Sequence, residues 1–287
     1  VKDLTDSSSG VFEDYGLYTQ VEQLNKAALK AHGVDSNGQL YKINSFEFYR
    51  HEDVIRLTTD SEYNQTAFEK LLEIKGNSDH SKLIKILDVL NDESSSMDDE
   101  LFVTYFDQEN IAYWMAFQLL TGNTDTQNRN VYLYSPQNSS KWYLWDWDND
   151  GMLRRREREI INFSDSESWE RGVSNYWGNI LFRRCLQTQS YRDMLDTAMK
   201  ELYAYMNEER IQSMLEHYRS VTEKYVWQMP DRMNVPITHD EYEEVLKSIW
   251  PEIDENYNYY WESYRKPMPF YIGKPQVVNG SLLLNWD

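Results

Sequence analysis

The stretch Tyr143–Glu157, "YLWDWDNDGMLRRRE", admits two structural readings, and the choice between them decides the fold. As a calcium loop it completes the pattern D-x-D-x-D-G-x5-E: Asp146, Asp148 and Asp150 alternate, Gly151 follows, and Glu157 closes the loop. The other reading is a β-strand that ends by delivering two carboxylates, Asp146 and Asp148, into a site. An EF-hand requires a helix on each side of its loop. Here the preceding residues, Trp142 to Trp145, follow the turn "PQNSS" and carry strand-forming aromatics. Arg154, Arg155 and Arg156 also bring like charge to the place where a dication would sit. The strand reading is the better one.

Working upstream, "TGNTDTQNRN" holds Asp125 and Asn130 in an Asp-x4-Asn spacing, at the end of the apolar helix expected over "DQENIAYWMAFQLLTG". Two short strands, "NVYLYS" and "KWYLWDW", then bring the chain back to Asp146 and Asp148. Helix, Asp-x4-Asn loop, hairpin and a strand ending in Asp is the order of a protein-kinase catalytic loop and its metal-binding Asp. Alone, Asp-x4-Asn is a weak signal in an acidic chain. The chemistry explains the grouping. One carboxylate must reach the acceptor hydroxyl, while an amide oxygen and a second carboxylate hold Mg²⁺ against the phosphates.

The bulk numbers narrow the alternatives. At 287 residues and 40% hydrophobic, the chain can bury one large core or two modest ones. A net charge of -19 argues against a nucleic-acid partner, which needs clustered cations. No apolar run approaches the roughly 20 residues of a membrane span. The single cysteine, Cys185, excludes an internal disulfide framework and reads as a small semi-buried residue. The five histidines are scattered, without HExxH or a His/Cys cluster, which argues against zinc. The 22 Tyr and 10 Trp leave a carbohydrate platform open, although most such residues serve as core and rim.

The front third reads mainly as strand: "YGLYTQVEQ" (Tyr15–Gln23) and "GQLYKI" (Gly38–Ile43), with helical "NKAALKAHG" and the turn Asn37-Gly38 between them. "FEKLLEIKGN" is ambiguous, with strand favoured towards its end. From Asp79 the period becomes 3.6, placing Leu83, Ile84, Leu87 and Leu90 on one face behind a Ser78/Asp79 cap. Helices are expected from Tyr191 to about Met206, over Glu208–Gln228, and after the capping box Thr238-x-x-Glu241, the last interrupted at Pro251. The fold class is therefore α+β, with a small β-containing front and a large helical back.

Three blocks of sequence resemble the CotH family, the spore-coat-protein-H-like atypical kinases. They are "YGLYTQVEQLNKAALKAHG" with "NGQLYKI", then "MAFQLLTGNTDTQNRNVYLYSPQNSSKWYLWDWDNDG", and "WERGVSNYWGNILFRR" followed by "KPMPFYIG". The resemblance implies a protein-kinase-like fold over residues 1–274 and Mg²⁺-dependent (or Mn²⁺-dependent) transfer of the ATP γ-phosphate to Ser or Thr hydroxyls of a protein. It makes Asp125 the catalytic carboxylate, Asn130 a metal ligand and Asp148 the principal metal Asp, with Asp146 competing for that role. On the same alignment the backbone of Val21, Glu22 and Gln23 meets adenine. Lys42 is a candidate nucleotide contact beside the simpler reading of a surface lysine.

One departure stands out: no G-x-G-x-x-G is present, and only residues 1–14 precede Tyr15, where the family carries a glycine turn, a strand lysine and a helix. The expectation is a front lobe that is incomplete in this sequence, with weak ATP–Mg²⁺ binding by the chain as written. The tail "PQVVNGSLLLNWD" (275–287) reads as an opening strand, either an ordinary terminal strand or one similar to the start of a fibronectin type III module. A non-catalytic CotH-like scaffold and an acidic-pair glycosidase or carbohydrate-binding protein are the alternatives. The arginine run 154–156 reads as a solvated face opposite Glu157 and Glu159, or as a contact for phosphates or an acidic substrate. The acidity, the scarcity of cysteine and the fibronectin-like reading of the tail point to an extracellular, cell-surface or spore-coat location.

Overall fold

Side-chain caps and turn signals set the element boundaries, and a computed structural model describes residues 12–92, 99–163, 171–263 and 272–286. Asn25 accepts from the amides of Ala27 and Ala28 and opens α1 (Lys26–Ala31). Strand β1 (Gln39–Ile43) follows, then α2 (Gln65–Leu71), capped by Asn64 and running directly into β2 (Leu72–Ile74). The ambiguous "FEKLLEIKGN" is thus helix first and strand after. Next come α3 (Ser81–Leu90), α4 (Asp99–Tyr105) and α5 (Gln108–Thr121). On α3 the buried residues are Leu83, Ile86, Leu87 and Leu90, so Ile86 takes the place expected for Ile84. Helix α5 starts at an Asp107 cap, ends at Gly122 in the left-handed conformation, and is buried on most sides from Ile111 to Thr121.

The hairpin β3 (Val131–Ser135) and β4 (Tyr143–Asp146) forms as its sequence predicts, and the sheet order is β2-β1-β3-β4, antiparallel throughout. Leu40, Tyr134 and Tyr143 lie in register on one face, as do Lys42, Tyr132 and Trp145. There they pack with Leu29 of α1, with Trp147 at the margin. The opposite face carries Tyr41, Leu133 and Leu144, then Ile43, Val131 and Asp146, and α5 packs on β4 there. Period-two alternation therefore sends Asp146 towards α5 and its neighbours Trp145 and Trp147 the other way.

The remaining elements are α6 (Arg155–Ile160), α7 (Ile180–Gln187), α8 (Gln189–Tyr205), α9 (Glu208–Val226), α10 (His239–Ser263) and the strands β5 (Gln276–Val278) and β6 (Ser281–Leu283). The capping box is real: Thr238 Oγ1 accepts from the Glu241 amide at 3.3 Å, and Glu241 Oε2 accepts from the Thr238 amide at 2.7 Å. Helix α10 continues through Pro251 instead of breaking there. Ile253 and Tyr260 beyond it are buried, and that packing outweighs the missing backbone donor.

The contacts divide the chain into two compact units. One comprises Val1–Glu22, Arg154–Ser164 and Tyr205–Pro251; the other comprises Gln23–Leu153, Asp165–Ala204 and Glu252–Asp287 and contains the four-stranded sheet.

Two strand expectations change. Residues 12–24 contain no strand. Gly16 has a positive φ of 86°, and the Leu17 amide is bonded by the Asp231 carboxylate at 3.0 Å, not by a neighbouring strand. The tail is a two-stranded hairpin rather than one opening strand. Asn279 (φ 50°) and Gly280 (φ 78°) make its turn, and all six strand residues are exposed.

Candidate active and metal site

Residues 123–130 leave the end of α5 and cross to β3 without regular structure, so side chains must fix the loop. Asn175 Nδ2 donates to the Thr124 carbonyl at 3.0 Å, and Asn179 Nδ2 donates to the Gln127 carbonyl at 2.7 Å. The hydroxyls of Thr126 and Tyr176 lie 2.9 Å apart. From the other side, the Phe46 amide donates to the Asn128 carbonyl at 2.9 Å, while Asn128 Nδ2 donates to Glu47 Oε1 at 2.7 Å. Thr126, Tyr176, Asn175 and Asn179 are all buried.

The loop presents Asp125 half-exposed. Arg129 Nε donates to its Oδ1 at 2.8 Å, and Asn130 Nδ2 donates to its Oδ2 at 3.0 Å. Because the Asn130 amide nitrogen faces the carboxylate, its oxygen remains the free end. Asn130 and Asp148 both adopt left-handed backbone, with φ of 55° and 57°. That conformation is costly for residues other than glycine and gathers at functional sites.

Register brings the second half of the site to the first. Val131 pairs with Asp146, so Asn130, just before β3, lies beside the chain leaving β4. Asp146 Oδ1 accepts from Gln118 Nε2 of α5 at 2.7 Å. Part of Asp146 remains accessible. Even so, loss of water around its carboxyl pushes the pKa up to about 6, more than hydrogen bonding from Gln118 and then Trp114 pulls it down. Asp148 and Asp150 are exposed on the turn that follows, in a 3-10 segment over Asn149–Gly151. The candidate donors (the Asn130 amide oxygen and the Asp146 and Asp148 carboxylates) are all oxygens, the type that Mg²⁺ or Mn²⁺ prefers.

Lys42 stands with its Nζ 5.4 Å from the centre of the Trp147 ring, between Asp146 and Asp148 in sequence. Gln23 and Lys42 belong to the sheet-containing unit, and Val21 and Glu22 to the other. The calcium reading loses its closing ligand, since both Glu157 oxygens are taken by Arg154, at 2.8 and 3.1 Å. Arg156 likewise pairs with Glu159 and, 88 positions on, with Glu244.

Sequence reasoning missed three groups. Gln118 and Asn123 tie Asp146 to the loop; the signal was a polar residue inside an otherwise apolar helix. The Asn175–Asn179 clamp gave no local pattern. Glu223, His239 and Glu243 also converge to within 4.8 Å, and the spacing His239-x3-Glu243 on one helix face was the readable sign. Arg219 already forks onto both of those carboxylates, so the cluster holds a built-in cation. A depression lined by Arg50, Asp53, Arg56, Asp60 and Ile84 lies apart from the loop, and its arginines are engaged by Asp88, Asp60 and Glu62.

Fold and site together define an α+β protein in which a small antiparallel sheet, backed by helices, ends in a carboxylate–amide cluster. The chain belongs to the family described as CotH kinase protein, whose family model matches residues 4–260 of the 287. No curated protein matches it. Among the described residues no helix is long and apolar enough to cross a membrane.

Proposed function

We propose that the chain carries the phosphotransfer site of a CotH-type protein kinase, moving the ATP γ-phosphate to Ser or Thr hydroxyls of a protein, with Mg²⁺ or Mn²⁺. The observation that carries the reading is the β3–β4 register, which pairs Asp146 with Val131, the residue after Asn130, while Asn130 itself bonds Asp125. Phosphoryl transfer asks the protein for position and electrostatics rather than covalent chemistry. Asp125 accepts the hydrogen bond of the acceptor hydroxyl and orients its oxygen for in-line attack; that hydroxyl takes over a carboxylate oxygen now shared with Arg129 or Asn130. The Asn130 oxygen, Asp148 and the second oxygen of Asp146 would hold the cation, which would supply positive charge against the phosphates. Lys42 reaches towards the phosphates from the Trp147 ring, and among the described residues no carboxylate forms an ion pair with its ammonium. A location outside the cell, on a surface or spore coat, accords with the family.

The test is phosphate transfer from labelled ATP, with Mg²⁺ or Mn²⁺, to a panel of protein acceptors. Asp125→Ala and Asp148→Ala are expected to abolish transfer while leaving thermal unfolding near the wild-type temperature, because both side chains are at least partly exposed. Wild-type chain that transfers nothing to any acceptor, with or without added upstream sequence, would favour a scaffold instead.

A further inference from the structure

Two buried amides join the halves of the candidate site, and their orientations are not free. Gln118 is 1% exposed and Asn123 is 2% exposed. An ionised carboxylate can only accept, so the contact of Asp146 Oδ1 at 2.7 Å requires Gln118 to present Nε2. Gln118 Oε1 is thereby turned to Asn123, whose Nδ2 donates to it at 3.0 Å. The Asn123 oxygen is then the acceptor that faces the backbone N–H of Asp125, at 3.4 Å. Asn123 Nδ2 also reaches Asn149 Oδ1 at 3.2 Å, in the turn just after Asp148. One carboxylate thus sets the direction of every hydrogen bond from Asp146 to Asp125.

We propose that Gln118 is a positioning residue that couples the metal carboxylate Asp146 to the loop bearing Asp125, fixing both halves of the site through one side-chain amide. This rests on the metal reading of Asp146. By holding Oδ1, Gln118 leaves Oδ2 as the oxygen turned to the cation. By accepting from Asn123, it keeps the first residues of the loop in the shape that presents Asp125. A glutamine that merely filled space in α5 would affect stability alone, and the two roles separate experimentally.

The experiment is Mn²⁺ titration followed by electron paramagnetic resonance, with thermal unfolding on the same samples. Binding that persists in Asp148→Ala is subtracted as nonspecific. Gln118→Met keeps the length and packing of the side chain, and it is expected to stay folded while losing at least fivefold in Mn²⁺ affinity. Gln118→Glu sets two carboxylates against each other and is expected to lower both affinity and unfolding temperature. Combined with Asp146→Asn, the polarity of the pair is reversed, the new amide at 146 donating to the new carboxylate at 118. That double variant is expected to regain the unfolding temperature lost by Gln118→Glu without regaining Mn²⁺ affinity. Mn²⁺ affinity within twofold of wild type in Gln118→Met overturns the proposal, as does a double variant no more stable than Gln118→Glu. Wild-type chain that takes up no Mn²⁺ removes the proposed function, and the recovery of stability by the double variant then decides the relay by itself.

Discussion

His80 makes folding stability depend on pH in a way that one substitution isolates. Its ring is fully buried, stacked on Phe68 at 4.1 Å, with Nδ1 2.9 Å from the Tyr41 hydroxyl and Nε2 3.1 Å from the Tyr63 hydroxyl. Neutral imidazole suits this setting, donating to one phenol and accepting from the other. Burial lowers the pKa from the ordinary 6.5 to about 4, against a smaller opposing pull from Asp79. Below pH 6.5 the unfolded chain therefore binds a proton that the folded chain refuses, so stability falls as pH falls, until both forms are protonated below about 4. The whole span is worth about 3 kcal/mol, at roughly 1.4 kcal/mol per pH unit. Most of that range approaches the isoelectric point near 4.7, so the useful window is pH 7.5 to 5.5. At pH 5.5 the unfolded histidine is about nine-tenths protonated, which corresponds to a loss of about 1.3 kcal/mol. Urea unfolding followed by tryptophan fluorescence, on wild type and His80→Gln, gives the comparison. The wild type is expected to lose about 1.3 kcal/mol more than the variant across the window. Parallel pH dependence of the two, within about 0.3 kcal/mol, would refute the argument that a buried neutral imidazole sits between the two tyrosines.

Other substitutions test the frame around the site. In Gly76→Ala the new methyl would sit 2.6 Å from the Leu40 amide nitrogen and 2.7 Å from the Gly38 carbonyl, both backbone. A loss on the order of 2 kcal/mol or more is expected, read as a lowered denaturation midpoint with the slope unchanged. Thr238→Ala removes one side of the capping box on α10 and is expected to cost about 1 kcal/mol by the same measurement. Cys185 is fully buried, and burial raises its thiol pKa well above the ordinary value. It is expected to resist a thiol-specific chromophoric reagent in native buffer and to react completely in denaturant.

Much of the fold was legible because its signals are local. Gly122 marked a helix end, "NVYLYS" and "KWYLWDW" marked the hairpin, and Thr238 with Glu241 marked the start of α10. The same hairpin decided between the calcium loop and the strand, and the strand proved correct. Where local pattern competed with tertiary contact, it lost. Tyr15–Gln23 alternates like a strand, yet the Asp231 carboxylate takes the Leu17 amide from more than 200 residues away (|i−j| 214). Pro251 should break a helix by itself, and the buried residues beyond it carry the helix through. In the tail, Asn279-Gly280 was a readable turn signal that converts one expected strand into a hairpin. The candidates Asp125, Asn130, Asp146 and Asp148 could be singled out from spacing. Gln118, Asn123, Asn175 and Asn179 could not, because amides that act through long-range partners leave no periodic trace.

The clamp on residues 123–130 bears on the order in which the chain acquires its parts during synthesis. Asn175 and Asn179 bond carbonyls that lie 51 and 52 positions earlier. A nascent chain that has emerged as far as Asp148 already carries Asp125, Asn130, Asp146 and Asp148, but the loop still lacks two of the side chains that shape it, Asn175 and Asn179. The site takes its final form only after Asn179 leaves the ribosome, so the chemistry is assembled late from residues delivered early. A premature stop before Asn175 therefore yields a chain that has all four candidate site residues but holds their loop only through Phe46, Glu47, Gln118 and Asn123.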